Sequence, residues 1–401
     1  MSYTCAGQAG STLVDHPATP DRHKEHDTLE NNKTGGWRAH ALALAAALCT
    51  LALINGLTPR SAAFAPLSAN HLGNLGATYE AQQVNSRHLG DALGTGERIV
   101  LLGSSELTSA DLRFISYKFM NTELAQPVLA YGHAYFQSLA MYFLLASQER
   151  QLSPRSRVVI MLSPGWFATR GLNREAFKEH VLPLLPRLVD NPDARAELAS
   201  WIWQRGNGEI ARAAMAEWAY DVRSRLQGQM RQLFLGDQAG EPPATAAPAA
   251  PSSRAVDWAA LRTEAAALEH RHMASNPYGV RQDYLDTYLT DLTPERLDAY
   301  PARFDGATEL NNLERLMRLL SARGVRALFV LQPYNPLVFR DLDRFEPVQR
   351  RIAALCETYA MHCLDMYNAR PYQVGTLRDS QHLGELGWLD VSRRMMEVFA
   401  P

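Results

Sequence analysis

The sequence predicts an α/β fold: a three-layer α/β/α sandwich around a five-stranded, mostly parallel sheet. Two observations predict it. Short apolar runs recur along the chain, each ended by Gly, Ser, Pro or Asn, as buried parallel strands are. Stretches with helical spacing separate them, so successive strands are joined by right-handed crossovers. A third observation, one long apolar run near the amino terminus, adds a transmembrane helix.

Taken in order, residues 1–36 are polar and mixed in charge and read as a disordered cytoplasmic tail. His40–Leu57 carries no Asp, Glu, Lys or Arg and has about the length that spans a bilayer. Lys33 and Arg38 precede it and Arg60 follows, which favours an amino terminus inside. Residues 37–57 are therefore expected to be a retained single-span anchor, with everything beyond extracytoplasmic, in the periplasm or at the cell surface. A cleaved signal peptide is the alternative, because Ala63-Phe64-Ala65 has the small-x-small form, although Pro66 directly after it disfavours cutting there. A buried soluble helix is a further alternative. Residues 58–97 read as a juxtamembrane spacer.

The extracytoplasmic α/β domain is expected over 98–401. Arg98–Ser105 is the first strand, Gln126–Tyr131 the second and Arg157–Leu162 the third. Helices are predicted around Ser109–Asn121 and Ala134–Gln151. Residues 170–300 read as a helical insertion over the sheet, placed where it could roof the site, with Trp201, Trp203 and Trp218 as packing anchors and a flexible Pro/Ala-rich linker at 236–254. Glu309–Arg323 is amphipathic through Leu310, Leu313, Leu316, Met317 and Leu320. Val325–Leu331 is the fourth strand and His362–Met366 the fifth, with helices Pro347–Tyr359 and Leu386–Phe399 after them.

With 401 residues the chain can bury a large core, and a net charge of −2 gives no case for nucleic-acid binding. The cysteines are Cys5, Cys49, Cys356 and Cys363, with no C-x-x-C pair, so nothing specifies a metal site or a cofactor. A cluster of Asp379, His382 and His133 is conceivable as a metal site, but no ligand spacing defines one. Cys356 and Cys363 can form a disulfide in an oxidising compartment or remain two buried thiols; both readings stand.

Chemistry concentrates at two places. The first strand runs into Gly103-Ser104-Ser105, at a carboxyl end, where open α/β sheets hold ligands. Either serine is a candidate nucleophile, and a serine needs a neighbouring base. Asp379 and His382, three apart in a polar loop near the other end, can provide one: a carboxylate that accepts the imidazole Nδ1 proton leaves Nε2 free to take the serine's. Serine early and Asp-x-x-His late is the chain order of the GDSL/SGNH hydrolases.

The match is closer than a superfamily. Gly103–Leu107 (G-S-S-E-L), Gly132–Leu139 (G-H-A-Y-F-Q-S-L), Leu162–Phe167 (L-S-P-G-W-F), Asn276–Val280 (N-P-Y-G-V), Gln332–Asn335 (Q-P-Y-N) and Asp379–Trp388 (D-S-Q-H-L-G-E-L-G-W) occur in one order over about 98–390. In this the chain resembles the DltD family, the membrane-anchored proteins of lipoteichoic-acid D-alanylation. The resemblance implies Ser105 as nucleophile, with Ser104 in the place of the superfamily's aspartate, His382 as base and Asp379 as its partner. It implies backbone N–H groups of Ser105 and Gly132 as oxyanion donors. The superfamily's Asn after the third strand is replaced by Ser163-Pro164-Gly165, so a third donor is undefined, with Gln137 and Ser163 as candidates. It implies transfer of an acyl group, D-alanyl by analogy, through an acyl-serine to an envelope polymer. The implied partners are a membrane-bound O-acyltransferase and an acyl-carrier protein. The rival readings are an SGNH esterase or thioesterase, and a docking module without turnover.

Overall fold

The computed structural model describes residues 37–50, 72, 79–109, 111–188, 191–235, 256–273, 276–290, 306–367 and 372–399. The chain divides into two compact units, Met1–Ser61 and Ala62–Pro401. In the first, residues 37–50 form helix α1, with Trp37, Leu42, Leu44 and Leu48 exposed. Among the described residues no helix is long and apolar enough to cross a membrane. The expected span 37–57 runs past α1 into residues outside the described ones, as do the tail 1–36 and the linker 236–254.

The second unit opens with α2 (Tyr79–Thr95), then β1 (Ile99–Gly103), α3 (Ser116–Thr122), β2 (Val128–Gly132), α4 (Ser138–Ala146) and β3 (Arg157–Leu162). Six helices follow: α5 (Arg174–His180), α6 (Leu185–Leu188), α7 (Pro192–Arg205), α8 (Gly208–Leu235), α9 (Trp258–Met273) and α10 (Gln282–Tyr288). The chain then returns to the sheet through α11 (Ala307–Ala322), β4 (Arg326–Leu331), α12 (Glu346–Thr358), β5 (His362–Asp365) and α13 (Glu385–Phe399). The five strands form one parallel sheet in the order β2-β1-β3-β4-β5.

Alternation along each strand divides the core in two. Val100, Leu102, Leu129, Tyr131, Val158 and Ile160 pack on one face with α4, α11 and α12. Ile99, Leu101, Val128, Ala130, Val159 and Met161 pack on the other with α3, α9 and α13. Both faces are covered, which is why the strands read as unbroken apolar runs. Each fully buried aliphatic side chain contributes about 1.5–3 kcal/mol. The order reverses at β1, whose neighbours β2 and β3 lie on opposite sides, and such a reversal opens a crevice at the strands' carboxyl ends. Gly103 faces Gly132 there.

Three expectations are corrected. Residues 58–97 are not a spacer throughout: α2 packs on the sheet with Leu89 and Leu93 fully buried, and the Leu72 N–H donates to Ala130 O of edge strand β2 at 2.7 Å. The mostly polar α2 sequence hides its one apolar stripe. The helical insertion at 170–300 is not a single roof: Phe177, Leu198 and Trp201 join one core and Ala265 of α9 the other. Of the tryptophans, Trp201 stacks on Phe177 at 3.6 Å between centroids, whereas Trp203 is 91% exposed. Cys356 and Cys363 are joined by a disulfide that ties α12 to β5.

Candidate active site

Beyond β1 the chain turns sharply into a short 3-10 helix, Ser105–Thr108. The turn folds back over the strand ends: a β-carbon at Gly103 would lie 2.6 Å from Glu106 Oε1, and one at Gly132 2.7 Å from Leu107 Cδ1. Glycine at both positions makes room for it. The Ser104 N–H donates to Glu106 Oε1 (2.7 Å) and Thr108 Oγ1 donates to Ser105 O (2.7 Å), which fix Ser105 at the head of the turn.

The second half of the site lies between β5 and α13. Leu377 and Leu383 pair as an antiparallel bridge, and the Arg378 N–H donates to His382 O at 2.9 Å, so residues 378–382 form a closed loop. Within it Asp379 Oδ1 accepts the N–H groups of Gln381 (2.9 Å) and His382 (2.7 Å). Such local bonds from an Asp side chain to the following backbone stabilise a turn. The other oxygen, Oδ2, meets His382 Nδ1 at 2.8 Å.

Asn335, fully buried after β4, holds this loop from below. Its N–H donates to Ser380 O (3.0 Å), its Nδ2 to Tyr278 O (2.9 Å) and Asp379 O (3.4 Å), and its Oδ1 accepts the Leu337 N–H (2.9 Å). Tyr284 Oη and Ser380 Oγ share a hydrogen bond of 2.8 Å. The Asn276–Val280 and Gln332–Asn335 motifs thus act as the bed of the Asp379–His382 loop. An ionic tie joins the two halves. Asp111, beyond the serine turn, accepts from Arg378 Nη1 (2.8 Å) and Arg281 Nη1 (2.6 Å), while Arg281 also pairs with buried Glu269 (3.1 Å).

The two halves meet where Ser105 Oγ lies 2.8 Å from His382 Nε2, although 277 positions separate them. With Nδ1–H donated to Asp379, Nε2 carries the lone pair and accepts the Ser105 O–H. Burial alone would raise the Asp379 carboxyl, but the His382 hydrogen bond and charge and the backbone N–H groups outweigh it, and Asp379 stays below the usual carboxylate range. Burial alone would lower His382; hydrogen bonding to Asp379, its charge and that of Glu106 outweigh burial and raise the imidazole above its ordinary value. The pair is set for proton transfer from a hydroxyl to an imidazole whose cation is stabilised.

Ser104 is buried beside Ser105, and Gly132 stands across from Gly103. Ser163 opens a 3-10 turn, Pro164–Ala168, after β3. There Ser163 Oγ, Tyr334 Oη and Gln381 Oε1 all lie within 3.6 Å of where a Gly165 β-carbon would be. Gln137, buried before α4, directs its Nε2 towards Thr169 Oγ1 at 3.4 Å. His133 packs beside Tyr131 and His180. Among the described residues no group of three His, Cys, Asp or Glu side chains is arranged to hold a metal ion. Sequence reasoning singled out neither Glu106 nor the Asp111, Arg281 and Arg378 tie. No local pattern marks either: Glu106 follows Ser104-Ser105 and stands before Leu107-Thr108, as a turn residue would, and nothing in the spacing marks the tie.

Residues 77–400 match the family model described as DltD protein. No curated protein matches the chain.

Proposed function

The chain belongs to the DltD family, the proteins of lipoteichoic-acid D-alanylation, and from that premise we propose that it is a membrane-anchored, extracytoplasmic serine acyltransferase working through an acyl-serine. The observation that carries the proposal is the 2.8 Å approach of Ser105 Oγ to His382 Nε2, with Nδ1 held by Asp379 at 2.8 Å.

Ser105 Oγ attacks the acyl carbonyl as its proton passes to His382 Nε2. Asp379 keeps the imidazole in the required tautomer and stabilises the imidazolium. The oxyanion is received by backbone N–H groups, with Ser105 and Gly132 as the donors; one such donor is worth about 10²–10³ in rate. His382 returns the proton to the leaving group, the ester forms on Ser105, and an acceptor hydroxyl repeats the sequence in reverse. The acyl group is D-alanyl and the acceptor an envelope polymer of the teichoic-acid kind. A membrane-bound O-acyltransferase and an acyl-carrier protein are the partners that deliver the acyl group.

Two features support the compartment. The Cys356–Cys363 disulfide suits an oxidising environment. The apolar side chains exposed on α1, at the start of the Asp/Glu/Lys/Arg-free run His40–Leu57, suit a lipid surrounding. The test is incubation with a D-alanyl thioester, with and without a glycerol-phosphate oligomer. Alanyl ester on Ser105 without acceptor, and on the oligomer with it, supports transfer. Rapid release of free alanine in both cases, or the same products from Ser105→Ala, overturns it.

A further inference from the structure

The loop from Gly132 to Ser138 joins β2 to α4 and is bent against local preference. Tyr135 sits at φ 62°, in the left-handed region that a bulky residue rarely adopts. Two short internal bonds keep the bend, from the Phe136 N–H to His133 O (3.0 Å) and from the Gln137 N–H to Tyr135 O (2.9 Å). Such a conformation persists only where its surroundings fix it. Three side chains from three places in the chain do so. His180, at the end of α5, meets Ala134 O through Nε2 at 3.1 Å. Thr169 Oγ1, beyond the turn after β3, accepts from Gln137 Nε2 at 3.4 Å, and Glu309 Oε1 of α11 accepts the Ser138 N–H at 2.9 Å. The loop starts beside the nucleophile turn: Gly132 faces Gly103, and a Gly132 β-carbon would lie 2.8 Å from both Gly103 O and Leu107 Cβ.

Of the three, His180 is buried at a cost that packing does not explain. It is 1% exposed, between Phe136 (5.3 Å between centroids) and His133 (6.0 Å). A carbonyl can only accept, so the ring carries its proton on Nε2, and burial keeps the imidazole below its ordinary value and neutral. Nδ1 is then an acceptor buried with no hydrogen-bond partner among the described residues. Phenylalanine would fill the same place without that penalty, so the task of the histidine lies with Nε2. The helix that carries it is anchored: Asn173 Oδ1 caps α5 by accepting the Ala176 N–H at 2.8 Å, and fully buried Phe177 stacks on Trp201. Resting on the acyl-serine reading and on Gly132 as an oxyanion donor, we propose that His180 is a positioning residue: its Nε2–H, bonded to Ala134 O, holds the Gly132–Gln137 loop so that the Gly132 N–H faces the oxyanion formed at Ser105. The helical insertion thereby reaches the chemistry through one hydrogen bond.

The test is fluorophosphonate labelling of Ser105 in the full-length protein, resolved into reagent affinity and limiting rate, together with the phosphorus NMR resonance of the adduct. In that reaction Ser105 Oγ bonds to phosphorus, fluoride leaves and the serine proton goes to His382; the phosphoryl oxygen takes the place of the oxyanion. His180→Phe keeps the ring packing and removes the donor. It is expected to lower the limiting rate about 10–10²-fold with affinity within about twofold, and to shift the phosphorus resonance. His180→Gln places a donor where Nε2 was, and is expected to bring the rate back to within about threefold and the resonance to its wild-type position. A wild-type limiting rate and an unshifted resonance in His180→Phe overturn the proposal, even where urea shows the variant less stable, because a packing role alone gives that result. If His180→Phe does not fold, nitrogen NMR of the wild-type ring decides: the Nε2–H tautomer is expected, and an Nδ1–H tautomer, which cannot donate to Ala134 O, overturns the proposal. Absence of labelling in the wild-type protein overturns the acyl-serine reading and this proposal with it; wild-type labelling that neither His180 variant alters overturns this proposal alone.

Discussion

Asp379 uses one oxygen to shape its loop and the other to hold His382, so its substitution separates two effects. Asp379→Asn keeps the size and an acceptor for the backbone but offers an N–H or a neutral oxygen to Nδ1. The imidazole then loses both its fixed tautomer and its charge partner. The labelling rate of Ser105 should fall about 10³–10⁴-fold, and the residual acid limb should move to lower pH because the folded His382 value is held up by Asp379. Asn335 is a second decisive residue, although it touches neither ring nor hydroxyl. Asn335→Asp replaces a donor to two carbonyls by an acceptor, leaving Tyr278 O and Asp379 O facing a carboxylate. A loss of about 1–3 kcal/mol of stability is expected from denaturant titration, with at least a tenfold slower labelling rate. Ser105, Asp379 and His382, which the fold brings together, could be named as candidates from the sequence because Gly-Ser-Ser and Asp-x-x-His have fixed spacings at strand-to-helix junctions. Glu106 and Asn335 were not, because burial of a polar group depends on what folds over it, and no local pattern records that.

Among the elements, α4 begins where a side chain from another helix caps it. Glu309, buried in the first turn of α11, accepts the Ser138 N–H at 2.9 Å, which satisfies an orphan donor at the start of α4. Burial pushes its carboxyl up to about 7, against hydrogen bonds from Ser138 and Asn312 that lower it. A carboxyl raised on folding binds more protons in the folded state, so its contribution falls as pH rises from the unfolded value to the folded one. Between about pH 4.5 and pH 7 the wild-type protein should lose about 3 kcal/mol from this group. Glu309→Gln, which keeps the acceptor and cannot ionise, should lose none of it; equal pH slopes for both proteins in urea unfolding would contradict the assignment. The strands were legible from their apolar runs. The helix expected over Ser109–Asn121 begins only at Ser116, because Leu112, Phe114 and Ile115 are buried from a loop rather than a helix face. There the Arg113 and Phe114 N–H groups are taken up by Glu385 of α13 at 3.0 and 2.7 Å, a tertiary bond that spacing cannot reveal.

For the molecule as a whole, the folded unit starts before the sheet does. A chain trimmed to residues 98–401 loses α2, with Leu89 and Leu93 fully buried and Leu93 O accepting from Ser156 Oγ at 2.6 Å. Those two leucines alone represent about 3–6 kcal/mol. That chain should unfold in much less denaturant than one covering 62–401; equal midpoints would show α2 to be dispensable. The parallel sheet with its reversal at β1 explains why residues 277 positions apart share one site: β1 and the loop after β5 both deliver their ends to the same edge. That architecture was legible because both faces of the sheet are covered. The boundary at 98 was not, because α2 shows one apolar stripe on a polar helix.

The central claim is that Ser105 is an activated nucleophile. Its most direct test is fluorophosphonate treatment of the protein followed by intact-mass measurement and peptide mapping. One adduct, on Ser105, absent in Ser105→Ala and in His382→Ala, is the predicted result. An adduct that persists in His382→Ala, or none in folded wild-type protein, would contradict it.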